Sequence, residues 1–441
     1  MPTTTLHPVG RPWSGIIAFC CAVIACFALS PSAGAKSVLS TRTSYAGKVR
    51  GLATVADSAL QNMLGAAPDD TRSWSDGVFS DPGSDNCDWC MSSAATAAAV
   101  LSRQTRPADP VLLNVAEATY KAAIAQHQEP DGSFDENAIE TEFFTVDLAE
   151  TYFELRDILP AVTRRAWAQA IVNAVNFIIK QKDLTWYANG NIQLRVTALM
   201  WMAWQITGHA TYETDYVNSW NFTMNPPQAR WPGYGINITR PPTKSDDSDG
   251  AGYLAESNQS DAPGFDPEYT MTQLDMATGM WTLTHDRRWL QLMNLFFNQL
   301  RSRINPTTFY LDGNGGTRES VVLPFFSGGL AVLYASGDRP DLASLVPGDL
   351  ALLEHEFSYT PDFLSSNFYR GLSGWLGMII ANHQHPDGVA AATLAETQGA
   401  RSKPKSQAPV RKRRHRHPRH KSVTRSGGKA SLTDGARQRG N

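Results

Sequence analysis

Apolar residues recur at helical spacing along most of the chain, from about residue 47 to residue 383. Apolar positions at i, i+3, i+4 and i+7 mark the buried face of an amphipathic helix. The pattern predicts twelve helices, at 47–64, 90–104, 110–127, 137–157, 161–181, 191–207, 211–221, 268–284, 286–303, 327–336, 341–357 and 370–383. Strand signals are scarce, and Gly-centred turns separate the helices. The sequence therefore predicts an all-α fold in which six helical hairpins form a ring with an inner and an outer layer.

The N-terminal segment has the layout of a secretory signal peptide. Arg11 precedes an uncharged apolar run from Ile16 to Leu29, and an Ala33-Gly34-Ala35 cleavage site follows. The run is too short to span a bilayer comfortably. We predict a signal peptide over residues 1–35 and a protein secreted to the extracellular space or periplasm. The alternative is a lipoprotein cleavage box that ends at Cys26 and anchors the protein through that residue.

Charge divides the rest of the chain into two parts. Residues 401–441 hold 14 Lys or Arg and one acidic residue, a net charge of +13, whereas residues 36–400 hold 24 basic and 41 acidic residues, a net charge of −17. The tail also lacks aromatic residues and apolar periodicity, so we expect it to be disordered. It is either a solvated tether or an electrostatic contact to anionic cell-wall polymer or a membrane surface. No motif indicates a specific nucleic-acid partner.

Cysteine and acidic clusters give little evidence of a metal site. Cys87 and Cys90 are the two cysteines of the segment 36–400. A single C-x-x-C pair does not make a zinc site, and in an oxidising compartment it predicts a disulfide, with buried thiols as the alternative. Asp246, Asp247 and Asp249 could approach a Ca²⁺ ion but lack the ligand spacing of a recognised loop. We expect neither a metal nor a cofactor.

The start of one predicted helix carries groups suited to a sugar. Trp186 and Tyr187 offer flat faces for stacking, and Asn189 and Asn191 flank Gly190 at the helix start. Asn side chains can cap a helix, and a helix N-terminus presents polar groups to a ligand. We therefore predict one wall of a carbohydrate cleft here, with these aromatic and amide side chains as substrate contacts.

The longest non-helical stretch runs from about residue 222 to residue 266. Loops of this length in a compact domain are usually functional or disordered. This one contains Trp231, Tyr234 and Tyr253 among Pro, Gly and Asp residues. We predict that these three aromatic side chains bind substrate.

One segment resembles a known enzyme superfamily. Residues 249–257 read D-G-A-G-Y-L-A-E-S, and Tyr269 stands at the next helix start. This order of Asp-Gly, Glu256 and then Tyr is similar to that of heparinase-type lyases, and Asn191 resembles the Asn of alginate and chondroitin lyases. Together with the helix count and Trp content, the chain resembles the (α/α) toroid carbohydrate enzymes, which include six-hairpin glycosidases and these polysaccharide lyases. The resemblance implies an (α/α)6-type toroid over residues 36–400, a polysaccharide substrate, and catalytic roles for Asn191, Glu256 and Tyr269.

A lyase mechanism assigns further residues. β-Elimination from a uronic acid polymer requires the sugar carboxylate to be neutralised, and Asn191 and Arg195 share a helix face from which they could do this. Tyr269 would remove the C5 proton if a nearby cation lowered its pKa. We predict Arg318 as that cation. Arg370 is the alternative, and otherwise a substrate-binding residue.

Two other functions stay open. Hydrolysis needs a protonated and an ionised carboxyl group on either side of the bond. The available candidates are Glu140, Glu142, Asp147, Asp261, Asp266 and Glu268. The third possibility is a non-catalytic protein that binds polysaccharide in the same cleft. The sequence favours elimination slightly, and it assigns neither the sugar nor the oligomeric state.

Overall fold

The computed structural model describes residues 48–56, 58, 73–75, 78–80, 92–103, 109–134, 138–182, 188–257, 262–317, 321–325, 327–335, 339–359, 371, 372 and 375. All belong to the unit Met1–Val389. The predicted signal peptide, the basic tail, Cys87 and Cys90 lie outside the described residues, and so do the predicted site residues Trp186, Tyr187, Arg318 and Arg370.

Helices dominate the described part of the chain. They are α1 (48–56), α2 (Ser92–Ser102), α3 (Pro110–His127), α4 (Ala138–Leu155), α5 (Ala161–Gln181), α6 (Gly190–Thr207), α7 (Ala210–Met224), α8 (Pro267–Thr284), α9 (Arg287–Leu300), α10 (Gly329–Ala335) and α11 (Val346–Tyr359). Most of the predicted helices are found within a few residues of their predicted ends. Periodicity located them because each helix buries one face against its neighbours.

The helices pack as consecutive hairpins in two layers. Each of α2, α4, α6 and α8 packs against the helix that follows it, and α10 contacts α11. The first helices of successive hairpins also contact one another, in the order α2, α4, α6, α8, α10. These five therefore form the inner layer, and their partners form the outer one. An ion pair of 3.2 Å between Lys48 on α1 and Glu354 on α11 joins the first described helix to the last hairpin, as closure of a ring requires. The predicted all-α toroid is confirmed.

Local sequence sets several helix starts. Asp109 accepts hydrogen bonds from the backbone N–H groups of Val111 and Leu112, and Pro110 occupies the first turn of α3. Asp266 and Pro267 repeat this arrangement at α8, where the Asp266 carboxylate accepts from Tyr269 N at 3.1 Å. The same Asp-Pro pair thus fixes where the outer helix α3 and the inner helix α8 begin.

Short strands occur where the sequence predicted only loop. Within the described residues, four two-stranded antiparallel pairs are formed: β1 (Ser73–Ser75) with β2 (Val78–Ser80), β3 (Ile236–Arg240) with β4 (Ala251–Leu254), β5 (Glu256–Ser257) with β6 (Pro263–Gly264), and β7 (Tyr310–Asp312) with β8 (Val322–Pro324). Strands of two to five residues carry too little alternation to be recognised from sequence. Across the described ranges, none of the helices is both long and apolar enough to cross a membrane.

Candidate active site in the ring

The inner faces of α4 and α8 meet across α6. Along α4, the side chains that are not fully buried include Phe143, Asp147 and Glu150, which recur at helical spacing and share one face. A Cβ placed on Gly279 of α8 would come 2.7 Å from Glu150 Oε1. Because α6 lies between α4 and α8, this contact crosses the inner surface of α6. The region that extends from this contact toward the first turns of the three helices is called the ring cavity below. It is defined by Phe143, Asp147 and Glu150 of α4, Arg195 of α6 and Glu268 of α8.

An Arg and an aromatic ring stack within the ring cavity. The guanidinium carbon of Arg195, in the second turn of α6, lies 3.6 Å from the centroid of the Phe143 ring. Phe143 is 37% exposed, which is unusual for a Phe of an inner helix. The contact holds the charged group over the face of the ring. An ordered guanidinium beside an accessible aromatic face suits a sugar, and the predicted substrate-binding role of Arg195 remains a prediction.

Carboxylates reach the ring cavity from two different helices. Asp147 and Glu150 come from α4. Glu268, in the first turn of α8, shares its helix face with Thr272 and Gly279, at spacings of four and seven residues. Asp147, Glu150 and Glu268 are all partly exposed. Glu150 Oε1 is nevertheless a buried atom, so Asp147 and Glu268 are the carboxyl groups on facing helices that suit acid–base cleavage of a glycosidic bond.

The other predicted carboxylates differ in burial and position. Glu142 and Asp266 are fully buried, and Asp266 caps α8. Glu140 is partly exposed in the first turn of α4, one turn before Phe143. Asp261 lies outside the described residues.

Glu256 does not lie in an open site. It lies in a buried cluster of hydrogen-bonded residues at the start of α6, which is called the anchor below. Its Oε1 atom accepts a hydrogen bond of 2.7 Å from the backbone N–H of Asn191 and another of 2.7 Å from Gln273 Nε2. Gln273 also bonds both backbone polar groups of Leu254. Gly190 is required at this point, because a Cβ there would lie 2.3 Å from Leu254 Cβ. The Glu256 carboxylate therefore joins β5 to the start of α6 and to the side of α8.

The two Asn residues at the start of α6 are part of the same anchor. Asn189 is the N-cap residue, but its side chain makes no capping hydrogen bond; its Oδ1 accepts from Ser257 N at 3.1 Å. Asn191 Oδ1 accepts from Ile192 N at 2.9 Å. The prediction that these side chains cap the helix is wrong for Asn189, since Glu256 occupies that role from 65 residues away. An anion at a helix N-terminus is favourable both for hydrogen bonding and for the helix dipole.

Tyr269 lies in the first turn of α8, adjacent to Glu268. Its backbone N–H donates to the capping Asp266, and its side chain is partly buried. Tyr269 therefore shares its helical turn with Glu268, whereas Glu256 is fully buried at the start of α6. Of the lyase constellation, Asn191 and Glu256 thus belong to the buried anchor and Tyr269 does not, and the catalytic roles stay predictions.

The aromatic residues of the long connection make two ring contacts. The rings of Trp231 and Tyr234 meet edge to face at 5.9 Å, and the Tyr253 ring lies 5.0 Å from that of Phe265. All four are partly exposed. Burial raises the pKa of the Tyr253 hydroxyl above its usual range. Substrate binding by Trp231, Tyr234 and Tyr253 stays a prediction.

In the acidic cluster of this connection, Asp246 and Asp249 accept hydrogen bonds from groups of the same loop. The Asp249 carboxylate accepts from the backbone N–H groups of Thr243 and Lys244, both at 3.0 Å, and from the Thr243 hydroxyl, which lowers the pKa of Asp249 to about 2. Asp246 accepts from Ser248 N at 3.1 Å. These bonds explain the cluster as turn structure. Within the described ranges, no group of three or more His, Cys, Asp or Glu side chains could hold a metal ion.

Sequence reasoning missed Phe143 and Glu150. Both had a signal available, because Phe143, Asp147 and Glu150 recur at helical spacing on a helix that otherwise buries Thr, Leu and Ala. A Phe on a helix is normally assigned to the core, and here the inner helix has core on all sides except that facing the ring axis.

No family model and no curated protein matches the sequence. Solved structures of low identity do. A mutant of unsaturated glucuronyl hydrolase from Streptococcus agalactiae is 11% identical, with a TM-score of 0.47 over 75% of this chain and 91% of that one. A family 76 glycoside hydrolase from a bovine Bacteroides thetaiotaomicron strain is 12% identical, with a TM-score of 0.41 over 76% and 78%. A family 76 mannosidase from Bacteroides thetaiotaomicron VPI-5482 is 10% identical, with a TM-score of 0.41 over 76% and 100%. These are carbohydrate-active enzymes, the class that the sequence resembles, while the architecture described above rests on the helix packing of this chain itself.

Proposed function

We propose that the protein is a carbohydrate-active enzyme that hydrolyses glycosidic bonds in the ring cavity. The observation that carries this proposal is the placement of Asp147 on α4 and Glu268 on α8, two partly exposed carboxylates on inner helices that flank α6. One would protonate the leaving oxygen, and the other would activate water or attack the sugar directly. Arg195, stacked on Phe143 between these helices, would hold the substrate.

Elimination is the second candidate, because Tyr269 stands in the same helical turn as Glu268. Its sequence-based support is weaker once the contacts are considered. Glu256 is fully buried and accepts hydrogen bonds from Asn191 and Gln273, so its environment is that of a helix cap. Asn191 is itself 4% exposed. Hydrolysis by carboxylates uses groups that are open to the cavity, which is why we place it first.

The product distinguishes the two chemistries. Elimination leaves a C4–C5 double bond that absorbs in the ultraviolet, whereas hydrolysis produces reducing ends without that absorbance. The purified protein would be incubated with alginate, polygalacturonate, chondroitin sulfate, xylan and mannan while both signals are followed. We expect reducing ends alone. Absorbance that rises with reducing ends would establish a lyase, and binding without either signal would establish a binding protein.

The chain is further proposed to act outside the cytoplasm, on the basis of the apolar segment after Arg11. Its basic tail would then contact anionic cell-wall polymer or a membrane surface. Co-sedimentation of the full chain and of a variant ending at residue 400 with cell-wall material would test this. Equal sedimentation of the two would overturn the role of the tail.

A further inference from the structure

A groove lies on the chain outside the ring cavity, beside the hairpin of β7 and β8. Its volume is about 540 Å³. The groove is lined by Arg303, Asn305, Thr308, Tyr310, Asp312, Asn314 and Val322. Pockets of a few hundred Å³ that combine an aromatic face with a few placed polar groups are typical binding sites for small molecules or for single units of a polymer. We call it the β7–β8 groove.

The polar groups of the groove are held in place before any ligand binds. Arg303 Nη1 donates to the backbone carbonyls of Asp312 and Asn314, at 3.2 and 2.7 Å. The Asp312 carboxylate accepts from Asn314, at 3.0 Å from the backbone N–H and 2.7 Å from Nδ2. The Asn305 side-chain oxygen accepts from the backbone of Thr307 and Thr308. Preorganised donors and acceptors lose little entropy on binding.

The chemistry of this lining fits a sugar. Arg, Asn and Asp side chains pair with vicinal hydroxyls, while the partly exposed ring of Tyr310 offers an apolar face to sugar C–H groups. Because both hydrogen bonds of Arg303 go to neutral carbonyls, they do not cancel its positive charge. Asp312 places a carboxylate in the same groove. A ligand rich in hydroxyls satisfies both better than an apolar one.

The groove adjoins the ring cavity through α8. The guanidinium of Arg303 stacks on the Phe265 ring at 5.3 Å, and the Phe265 carbonyl accepts from Thr317 N at 3.1 Å. Phe265 directly precedes Asp266, which caps α8, and Glu268 of the next turn faces the cavity. The groove therefore stands next to the end of α8 at which the proposed chemistry takes place. A polymer that leaves the cavity past α8 would meet it.

We propose that the β7–β8 groove is a distal glycan-binding subsite, which holds sugar units of a polysaccharide away from the bond that is cleaved. This inference rests on the proposed function for the identity of the ligand class. Its consequence is selectivity for chain length, because only a chain long enough to reach from the ring cavity to the groove gains the additional contacts.

The test compares groove variants with a matched surface control. Tyr310→Ala removes the aromatic face, Tyr310→Phe keeps it, and Val322→Glu places a bulky charge in the groove at a position that is 61% exposed. Val162→Glu makes the same change on outer helix α5, where Val162 is 70% exposed. Binding would be measured by retardation in native gels that contain alginate, polygalacturonate, chondroitin sulfate, xylan or mannan, and the melting temperature of each variant would be recorded.

For the polysaccharide that retards the wild type, we expect Tyr310→Ala and Val322→Glu to raise the apparent Kd about tenfold, as the loss of one stacked sugar implies. Tyr310→Phe and Val162→Glu should match the wild type. If the protein cleaves the polymer, its di- and trisaccharide fragments should be turned over equally by all variants. Unchanged retardation by the two groove variants overturns the subsite, even where cleavage persists.

The outcomes separate this inference from the proposed function. Retardation that depends on Tyr310 without any cleavage would refute the enzyme and keep the subsite. Cleavage with retardation that does not depend on Tyr310 or Val322 would do the reverse. Absence of both retardation and cleavage on the whole panel would refute both. A loss in Val322→Glu that Val162→Glu reproduces would also overturn the subsite, since it would reflect added charge alone.

Discussion

The anchor at the start of α6 and the ring cavity both bring carboxylates to inner helices, yet they place them in different surroundings. Glu256 is fully buried, and one of its oxygens accepts two hydrogen bonds of 2.7 Å, one from the backbone N–H of Asn191 at the start of α6 and one from Gln273 Nε2 in α8. Asp147 and Glu268 are partly exposed, and by helical spacing they share the faces on which Glu150 and Gly279 approach each other. The sequence motif containing Glu256 looks more like an active site, but the exposed pair is better suited to proton transfer.

Burial and hydrogen bonding therefore distinguish a structural carboxylate from a candidate catalytic one in this protein, and proximity to aromatic or Gly residues does not. A buried carboxylate whose oxygen is already engaged stabilises the fold, and exchanging a proton there would cost those bonds. A carboxylate with solvent access can take up and release a proton during turnover.

Removal of the proposed catalytic carboxylates should have the largest effect on activity. Asp147→Asn and Glu268→Gln should each lower kcat on the cleaved polysaccharide about 10²- to 10⁴-fold, the usual contribution of general acid–base catalysis. Neither side chain is buried, so the free energy of unfolding should change by less than about 1 kcal/mol. Steady-state kinetics and urea unfolding would check both expectations.

Glu213→Gln on outer helix α7 supplies the matched control, because Glu213 is an exposed carboxylate in a first helical turn. It should leave kcat unchanged. If Asp147→Asn and Glu268→Gln both retained turnover within about threefold of this control, well below a normal acid–base effect, the ring cavity would lose its assigned pair.

The anchor should respond in the opposite way. Glu256→Ala removes the acceptor for Asn191 N and Gln273 Nε2, and we expect it to lower the free energy of unfolding by about 3–6 kcal/mol, since hydrogen bonds to charged groups contribute about 1.5–3 kcal/mol each. Glu256→Gln keeps an acceptor oxygen and should lose less stability. Urea unfolding at neutral pH would measure both.

Turnover by Glu256→Gln decides between cap and catalyst. As a cap, the amide variant should retain kcat within about threefold, because no proton transfer is lost. A drop of kcat by two or more orders of magnitude in a variant that melts normally would restore Glu256 to the catalytic residues and favour elimination.

A buried carboxylate on α11 should make the stability of the protein depend on pH. Asp349 on α11 is buried, and its Oδ2 accepts one hydrogen bond of 2.8 Å from Trp375 Nε1. Burial raises the pKa of Asp349 to about 7, and the Trp375 bond only partly opposes this. The folded protein therefore binds the proton more tightly than the unfolded chain does. The stability from this group is present in full below about pH 4 and is lost as the pH rises toward about 7.

Asp349→Asn should remove that dependence. We expect the free energy of unfolding of the variant, relative to wild type, to increase between pH 4 and pH 7 by up to about 4 kcal/mol. Urea unfolding at several pH values would give the difference. A constant difference across this range would show that Asp349 does not titrate there.

How far the sequence predicts this molecule depends on the range of each interaction. The helices follow from local periodicity, which the packing of α2, α4, α6 and α8 against outer partners preserves. The anchor could not be predicted, because Asn189-Gly190-Asn191 reads locally as a self-capping turn, while the group that caps the helix is 65 residues away. The β3 and β4 strands were missed for the same reason, since their pairing is set by the anchor and by α9, not by alternation.

Phe143, whose ring is exposed on an inner helix, should give the weakest response of the residues considered. Its stacking on Arg195 at 3.6 Å contributes about 0.5–2 kcal/mol to the order of that side chain. Phe143→Leu should therefore raise KM about twofold to tenfold and leave kcat nearly unchanged, because Arg195 would bind substrate with less preorganisation. Phe143→Tyr, which keeps an aromatic face, should restore the wild-type KM. A loss of kcat without a change in KM would instead place Phe143 among the groups that act on the transition state, beside Asp147 of the same helix.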